Sequence, residues 1–403
     1  MKRLALAVLA GLLSLPALAH EGHDAKPGAP AAPPPCTDVS LTCAKSATPA
    51  LAADGRVWIV WSAANRIYVS ASQDHGTSFA APVAVSPVME VLDDNSEARP
   101  KLILTPDGTL VVAFAQRVDK QYNGKIFTAR STDGGKSFSA PQPLQDGIGQ
   151  RFETLGVAAN GRIYAAWLDR RNQQSAKAAG QEYKDTGVAV AWSDDNGASF
   201  QGKAILADYS CDCCRLALTM DQDGLPVLAW RHVYGKNLRD HAVAKLSADG
   251  ATLAPQRVSE DEWAIDACPR HGPSLTIDTA GAWHVTWYTK GARRQGLFYA
   301  RSSDGGKTFS APEALAPGRA ASNPQILAAA GTLLRAWKEF DGAKTEILAQ
   351  SSKDGGHSWS AAWVLATTAD QSDHPLLVSD SGRTYLSWLT RLEGYRLLPV
   401  AAP

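Results

Sequence analysis

Seven times along the chain a glycine is followed six positions later by Trp or Phe: Gly55/Trp61, Gly108/Phe114, Gly161/Trp167, Gly224/Trp230, Gly281/Trp287, Gly331/Trp337 and Gly382/Trp388. Successive aromatics lie 50 to 63 residues apart, too far for a single hairpin and about right for a four-stranded unit. A short, largely apolar stretch precedes each glycine, as in Pro100–Thr105 and Pro273–Ile277. Glycine takes positive φ without a Cβ clash, which suits a tight hairpin turn. The strand after the turn ends at the aromatic. In the first repeat it reads Val57-Trp58-Ile59-Val60-Trp61, so period-two geometry makes both of its faces apolar. Such a strand needs cover on two sides. The repeat therefore predicts an all-β chain, a seven-bladed β-propeller in which each unit is sandwiched between its neighbours.

The outer half of the units carries a second signature, Ser-x-Asp-x-Gly-x-x-Phe/Trp. It stands at Ser72/Asp74/Gly76/Phe79, Ser131/Asp133/Gly135/Phe138, Ser193/Asp195/Gly197/Phe200, Ser302/Asp304/Gly306/Phe309 and Ser352/Asp354/Gly356/Trp359, with a degraded copy at Ser247/Asp249 followed by Leu253. Ser and Asp side chains bond the turn backbone, Gly permits its sharp geometry, and the aromatic anchors it. Over residues 47–395 the sequence resembles the Asp-box (BNR-repeat), sialidase-like β-propellers. The resemblance implies that the boxes are scaffold, joining third and fourth strands on the side opposite the active face. Seven hairpins stand against six boxes. The last unit, from Pro375 to about Val400, supplies three strands, and a strand near Asp38–Ala44 is expected to complete it and leave no exposed edge. A six-bladed ring with one appended hairpin is the alternative.

Residues 1–19 read as an export signal: Lys2 and Arg3, the mostly apolar run Leu4–Leu15, then Ala17-Leu18-Ala19 ahead of His20. Residues 20–37, with Pro27–Pro35 rich in Pro and Ala, read as a flexible arm, and 38–403 as one propeller domain. The expected location is periplasmic or secreted. No later apolar run is long enough to span a membrane. The 40 basic and 40 acidic residues are interspersed, which gives no electrostatic case for nucleic acid.

In a propeller, the segments leading into the innermost strands converge at one end of the channel. Here they carry Glu97/Arg99, Arg151/Glu153, Cys211–Arg215, Cys268/Arg270/His271, Asn323 and Asp373/His374. The loops after the repeated aromatics add Asp169/Arg170, Arg231/His232, Tyr288, Lys338 and Arg391. Such a cleft is where function is sought. Its densest feature is Ser210-Cys211-Asp212-Cys213-Cys214-Arg215, facing Ala267-Cys268-Pro269-Arg270-His271 from the next unit. Two accounts stand for it. Cys211, Cys213, Cys214, Cys268, His271 and His232 form a channel-face site for a ligand or soft metal, with copper favoured after export and His20 and His23 as an amine–imidazole site or delivery arm. In the other account the thiols are braces, with Cys211 or Cys213 bonded to Cys268 and Cys36 to Cys43, or Cys213 bonded to its neighbour Cys214 and the remaining thiols structural or redox active, and the face binds a protein partner.

The family resemblance adds a third reading, cleavage of sialic acid or another acidic glycan. It implies an arginine cluster holding a carboxylate, an acid and a tyrosine nucleophile. Arg99 before Pro100 matches the family's first arginine; Arg170, Arg231 and Arg270 are its partners by location. Asp169 is placed as the acid and Tyr395, near Glu393, as the nucleophile.

Overall fold

The computed structural model describes residues 38–401 except 183–184, 248–253, 319 and 381. The export signal, His20, His23, Cys36 and the Asp249 and Leu253 positions of the degraded box lie outside the described residues.

All seven predicted hairpins form. Their first strands are Ala47–Leu51, Lys101–Leu104, Gln150–Val157, Ala217–Met220, Ser274–Ile277, Ala321–Ala329 and Leu376–Ser379. Each pairs antiparallel with the strand that carries the repeated aromatic. The turn glycines Gly55, Gly108, Gly161, Gly224, Gly281 and Gly331 sit at φ between +72° and +89°. Gly382 is the exception, since its turn closes without a left-handed glycine.

The aromatic at the end of each second strand is buried, from Trp337 at 2% exposure to Trp230 at 0%. A buried indole must also place its N–H. Trp61 donates to the Val39 carbonyl at 2.9 Å, Trp167 to Asp169 at 2.8 Å, Trp287 to Asp261 at 2.7 Å, Trp337 to Glu339 at 2.8 Å and Trp388 to the Asp373 carbonyl at 3.1 Å. Phe114 has no such group to satisfy. The aromatic thus fills the core, and its N–H ties down either the segment leading into its hairpin, as for Trp61, Trp287 and Trp388, or the end of its own strand, as for Trp167 and Trp337.

Four antiparallel sheets have four strands, spanning residues 47–84, 101–143, 274–314 and 321–368. The third and fourth hairpins share one larger sheet, because Gln201–Ser210 pairs with Thr186–Ser193 and reaches Pro226–Tyr234 through Ser210 opposite His232. The longest aromatic spacing falls here, and the helix Arg171–Ala178 takes up part of it. Successive first strands lie side by side, and Leu376–Ser379 returns to Ala47–Leu51. Hydrogen bonds tie some of them directly: Ile326 N–H to Ser274 Oγ at 3.1 Å, Ala328 N–H to Thr276 Oγ1 at 3.1 Å, and Thr48 Oγ1 to the Pro100 carbonyl at 2.7 Å. Gly156 is required by this closeness, since a Cβ there would stand 2.2 Å from Leu218 Cδ2.

The Ser-x-Asp-x-Gly turns close as their chemistry predicts. In the first, Ser72 Oγ donates to Asp74 Oδ1 at 2.6 Å and accepts from Gly76 N–H at 2.8 Å, while Asp74 accepts from Ser78 N–H at 2.9 Å and Ser78 Oγ at 2.6 Å. Asp133, Asp195, Asp304 and Asp354 repeat the pattern. Several turns rest on a neighbouring sheet. Gly135 faces Trp58, Gly197 faces Val111, and Gly76 faces Leu397, joining the first sheet to the last.

The last sheet departs from expectation. It has three strands, Leu376–Ser379, Thr384–Thr390 and Gly394–Pro399. The segment expected to add a fourth instead makes a 3-10 turn at Leu41–Cys43. The reason is local: Asp38 accepts from Ser40 N–H at 3.1 Å and Ser40 Oγ at 2.7 Å, and such side-chain bonds compete with a strand ladder. The turn packs near Gly394–Pro399 as a cover.

Removing one of these aromatics is expected to cost much of the fold's stability. Trp287→Ala should lower unfolding free energy by about 3–5 kcal/mol, the usual cost of emptying a large buried aromatic site, and Trp287→Phe by less. Equilibrium urea unfolding checks the order.

Candidate functional site

A cavity of about 330 Å³ lies where the first strands meet. Every hairpin contributes to its wall, through Thr48, Lys101, Thr154, Ala217, Leu275, Ile326 and Leu377, and Glu97, Arg99, Arg215 and His374 stand in the segments leading into those strands. Two strands bulge at this end. The register slips beside Phe152, which takes φ +57°, and beside Asn323 at φ +52°. A bulge re-aims the side chains that follow it, here Glu153 and Gln325.

The polar groups of this wall are mostly buried. Glu97, 4% exposed, accepts from Arg215 Nη1 at 2.5 Å, Arg215 N–H at 3.1 Å and Gly272 N–H at 3.3 Å, and lies 3.2 Å from His374 Nδ1. Burial opposes ionisation of Glu97, yet Arg215 and His374 beside it hold its carboxyl well below the ordinary value of 4.5. Arg99 is equally engaged: it donates to Asp373 Oδ1 at 2.9 Å, to the Ala47 carbonyl at 3.0 Å and to the His374 carbonyl at 3.3 Å, clamping three hairpins together. Lys101 and Glu153 differ. Burial lowers the Lys101 ammonium to about 8, against the attraction of Glu153. Burial also raises the Glu153 carboxyl to about 7, against the opposing charge of Lys101. Neither Glu153 oxygen has a hydrogen-bond partner, and Arg215 Nη2 and Asn323 Nδ2 also lack one. Lys101 and Arg215 line the cavity, and perturbed or unspent groups at one cavity mark a functional site.

The cysteines lie elsewhere, and the expected channel-face site for a ligand or soft metal is overturned. Cys211, Cys213 and Cys214 are 1%, 3% and 2% exposed and pack in the core with Leu216 and Trp230. Cys213 is bonded to Cys268; Cys43 is also disulfide-bonded, and its expected partner Cys36 is outside the described residues. Cys211 Sγ lies 3.2 Å from Cys214 Sγ and 3.7 Å from Cys213 Sγ. The sulfurs of Cys211, Cys213 and Cys214, and those of Cys213 and Cys268 with an Asp212 oxygen, are close enough to surround an ion in principle. Two of the four sulfurs are joined in a disulfide and Cys211 and Cys214 are buried, so this cluster is not an exposed channel-face ligand site. The imidazoles do not join it: His232 accepts from Trp230 Nε1 at 3.4 Å and meets Tyr234 edge-on, and His271 packs on Tyr288. Burial lowers both to about 4.

The residues placed by family resemblance are scattered. Asp169, 1% exposed, accepts from the Trp167 indole, from Arg171 N–H at 2.8 Å and from Arg171 Nη2 at 2.6 Å. Tyr395 packs edge-on against Phe79 of the first Ser-x-Asp-x-Gly turn and bonds Ser387 at 3.1 Å. Arg170 donates to Asp212 at 2.7 Å and to the Gln121 carbonyl at 3.0 Å. Arg231 spends its Nη atoms on the carbonyls of Arg239, His271 and Tyr288 and covers Trp263. Arg270 is exposed. Only Arg99 reaches the cavity. Lys101 was absent from the sequence-derived set; its signal is a lysine heading the otherwise apolar strand Lys-Leu-Ile-Leu.

No family model matches the sequence, and no curated protein sequence matches it. Solved structures do share its fold. A protein of unknown function from Dyadobacter fermentans is 19% identical, with 77% of this chain and 95% of that chain covered and a TM-score of 0.53. A polysaccharide lyase PL25, an ulvan lyase, is 11% identical over 87% of this chain and 90% of its own, with a TM-score of 0.58. A Hadza microbial sialidase aligns over 85% of this chain and 76% of its own at 16% identity and a TM-score of 0.49. Among the described residues no helix is long and apolar enough to cross a membrane.

Because the folded carboxyl of Glu97 sits below its ordinary value, its stabilisation is complete above pH 4.5 and is lost as pH falls toward the folded value. Glu97→Gln should cost about 3–5 kcal/mol at neutral pH by stranding Arg215, and should flatten the acid limb of the stability profile. Unfolding measured across pH checks both.

Proposed function

We propose that residues 38–403 form a seven-bladed propeller of the Asp-box type, exported by the leader at residues 1–19, that binds and cleaves an acidic glycan at the mouth of its channel. Seven first strands in lateral succession, the last beside the first, support the blade count. The observation that carries the functional reading is the set of charged groups lining one cavity, Glu97, Arg99, Lys101 and Arg215, with Arg215 Nη2 unpartnered and the buried, unpartnered acid Glu153 attracted by Lys101. Donors of this kind, with the Lys101 ammonium beside them, suit a carboxylate or sulfate. An ulvan lyase of similar fold, 11% identical with a TM-score of 0.57, has been solved with a glucuronate–sulfated rhamnose fragment bound, and an acidic saccharide of that class is the substrate proposed.

Cleavage of a glycosidic bond needs a proton for the leaving oxygen. A carboxyl raised to about 7 holds its proton in mildly acidic solution and releases it readily, the property required of a general acid. Glu97, ionised and bonded to Arg215, holds that guanidinium toward the cavity. Arg99 works the same way at one remove, through Asp373 and the Ala47 carbonyl. Tyr395, Asp169, Arg170, Arg231 and Arg270 have no part in the reaction.

Sulfated and unsulfated glucuronate-containing oligosaccharides should bind, and neutral ones of equal length should not. Lys101→Met should weaken binding roughly tenfold, the loss of one charge-assisted contact. Glu153→Gln should leave binding intact while lowering cleavage by about 10²–10⁴. Cleavage should fall as pH rises through about 7. Calorimetry and a reducing-end assay read these outcomes. Failure of acidic oligosaccharides to bind, or full cleavage by Glu153→Gln, overturns the proposal.

A further inference from the structure

The buried thiols form a second chemical centre, distinct from the proposed glycan cavity. Three features stand together. Cys211 Sγ is 3.7 Å from Cys213 Sγ, one end of the Cys213–Cys268 bond, and 3.2 Å from Cys214 Sγ. Arg239 Nη1 lies 3.4 Å from Cys211 Sγ. Cys268, the other end of the disulfide, is exposed while Cys213 is buried. A cleft of about 480 Å³ opens beside them, lined by Ser210, Asp212, Lys236, Asn237, Arg239 and Asp266.

We propose that this cluster is a thiol–disulfide exchange site whose working sulfur is Cys268. The Cys211 thiolate attacks Cys213 Sγ, the Cys211–Cys213 bond forms, the Cys213–Cys268 bond breaks, and its electron pair leaves on Cys268 as a thiolate. Cys214 then attacks Cys211 and releases Cys213, moving the disulfide to Cys211–Cys214; its proton passes to the sulfur that leaves. Both steps are redox neutral. The exposed Cys268 thiolate exchanges with a disulfide compound reaching the cleft, forming a mixed disulfide and releasing that compound's other half as a thiolate.

The geometry sets the order of attack. Thiolate is the nucleophile in exchange, and a stabilised leaving sulfur speeds it. The neighbouring Cys214 thiol lowers Cys211 to about 7 against its burial, with help from Arg231 and Arg239. Burial raises Cys214, which also feels the charge of Glu97. Cys211 therefore attacks first, and Cys268 leaves into water rather than into the core.

The test alkylates the native protein with a maleimide under non-reducing conditions and maps labels and disulfides by mass spectrometry. The expected result is label on Cys268, together with a Cys211–Cys214 or Cys211–Cys213 bond. Cys211→Ser should lose the Cys268 label while keeping Cys213–Cys268, and Cys214→Ser should keep the label and accumulate Cys211–Cys213. Oxidised glutathione should add to Cys268 of the native protein and not of Cys211→Ser. An unlabelled Cys268, a Cys268 label that persists in Cys211→Ser, or a native protein isolated with both Cys213–Cys268 and Cys211–Cys214 bonds overturns the proposal. The native-protein maps decide it even where a variant fails to fold.

Discussion

The second strand of each hairpin is buried on both faces, and the rest of the structure depends on covering it. Val57–Ala63 is buried along its whole length, as is Ile163–Asp169. Such strands are stable only between other sheets, so every hairpin needs a neighbour on each side. The side-by-side order of the first strands meets that need, and the contact of Leu376–Ser379 with Ala47–Leu51 covers the last as well as the first. The aromatic closing each second strand then converts burial into position. Its ring fills the interior, and its indole N–H can fix an acceptor in the segment leading into its hairpin, as Trp287 fixes Asp261 and Trp388 fixes the Asp373 carbonyl.

That arrangement brings short segments from distant parts of the chain to one place. Glu97 meets Arg215 and His374 across 118 and 277 residues of sequence. Arg99 meets Asp373 across 274. These pairs hold the wall of the cavity, and what they leave unpaired, Arg215 Nη2, is what chemistry there can use. A charged cluster with every group satisfied would be a brace. This one is a brace on one side and open on the other.

Much of this was legible in the sequence. The seven Gly-to-aromatic hairpins follow from a six-residue spacing that strand geometry translates directly into a turn and a buried ring. The Ser-x-Asp-x-Gly turns follow from side chains bonding their own backbone. The converging segments were also legible: Glu97, Arg99, Glu153, Arg215 and His374 do gather at one end. What sequence did not carry is direction and depth. The Cys211–Cys214 run looked like a ligand set, but its sulfurs turn into the core and Cys213 is spent on Cys268. Tyr395 stood near Glu393 like an active-site pair, yet its ring packs on Phe79. At Asp38–Ala44, a local Asp38–Ser40 interaction prevailed over an unpaired edge. Lys101 went unseen because one cation at the head of an apolar strand has no spacing to betray it.

The most direct test of the account is a crystal structure of the protein with a sulfated glucuronate tetrasaccharide. The account predicts the acidic group within hydrogen-bond distance of Arg215 Nη2 or the Lys101 ammonium, and a glycosidic oxygen within reach of Glu153. An oligosaccharide seated away from this cavity, with Arg215 and Glu153 still unpartnered, would contradict it.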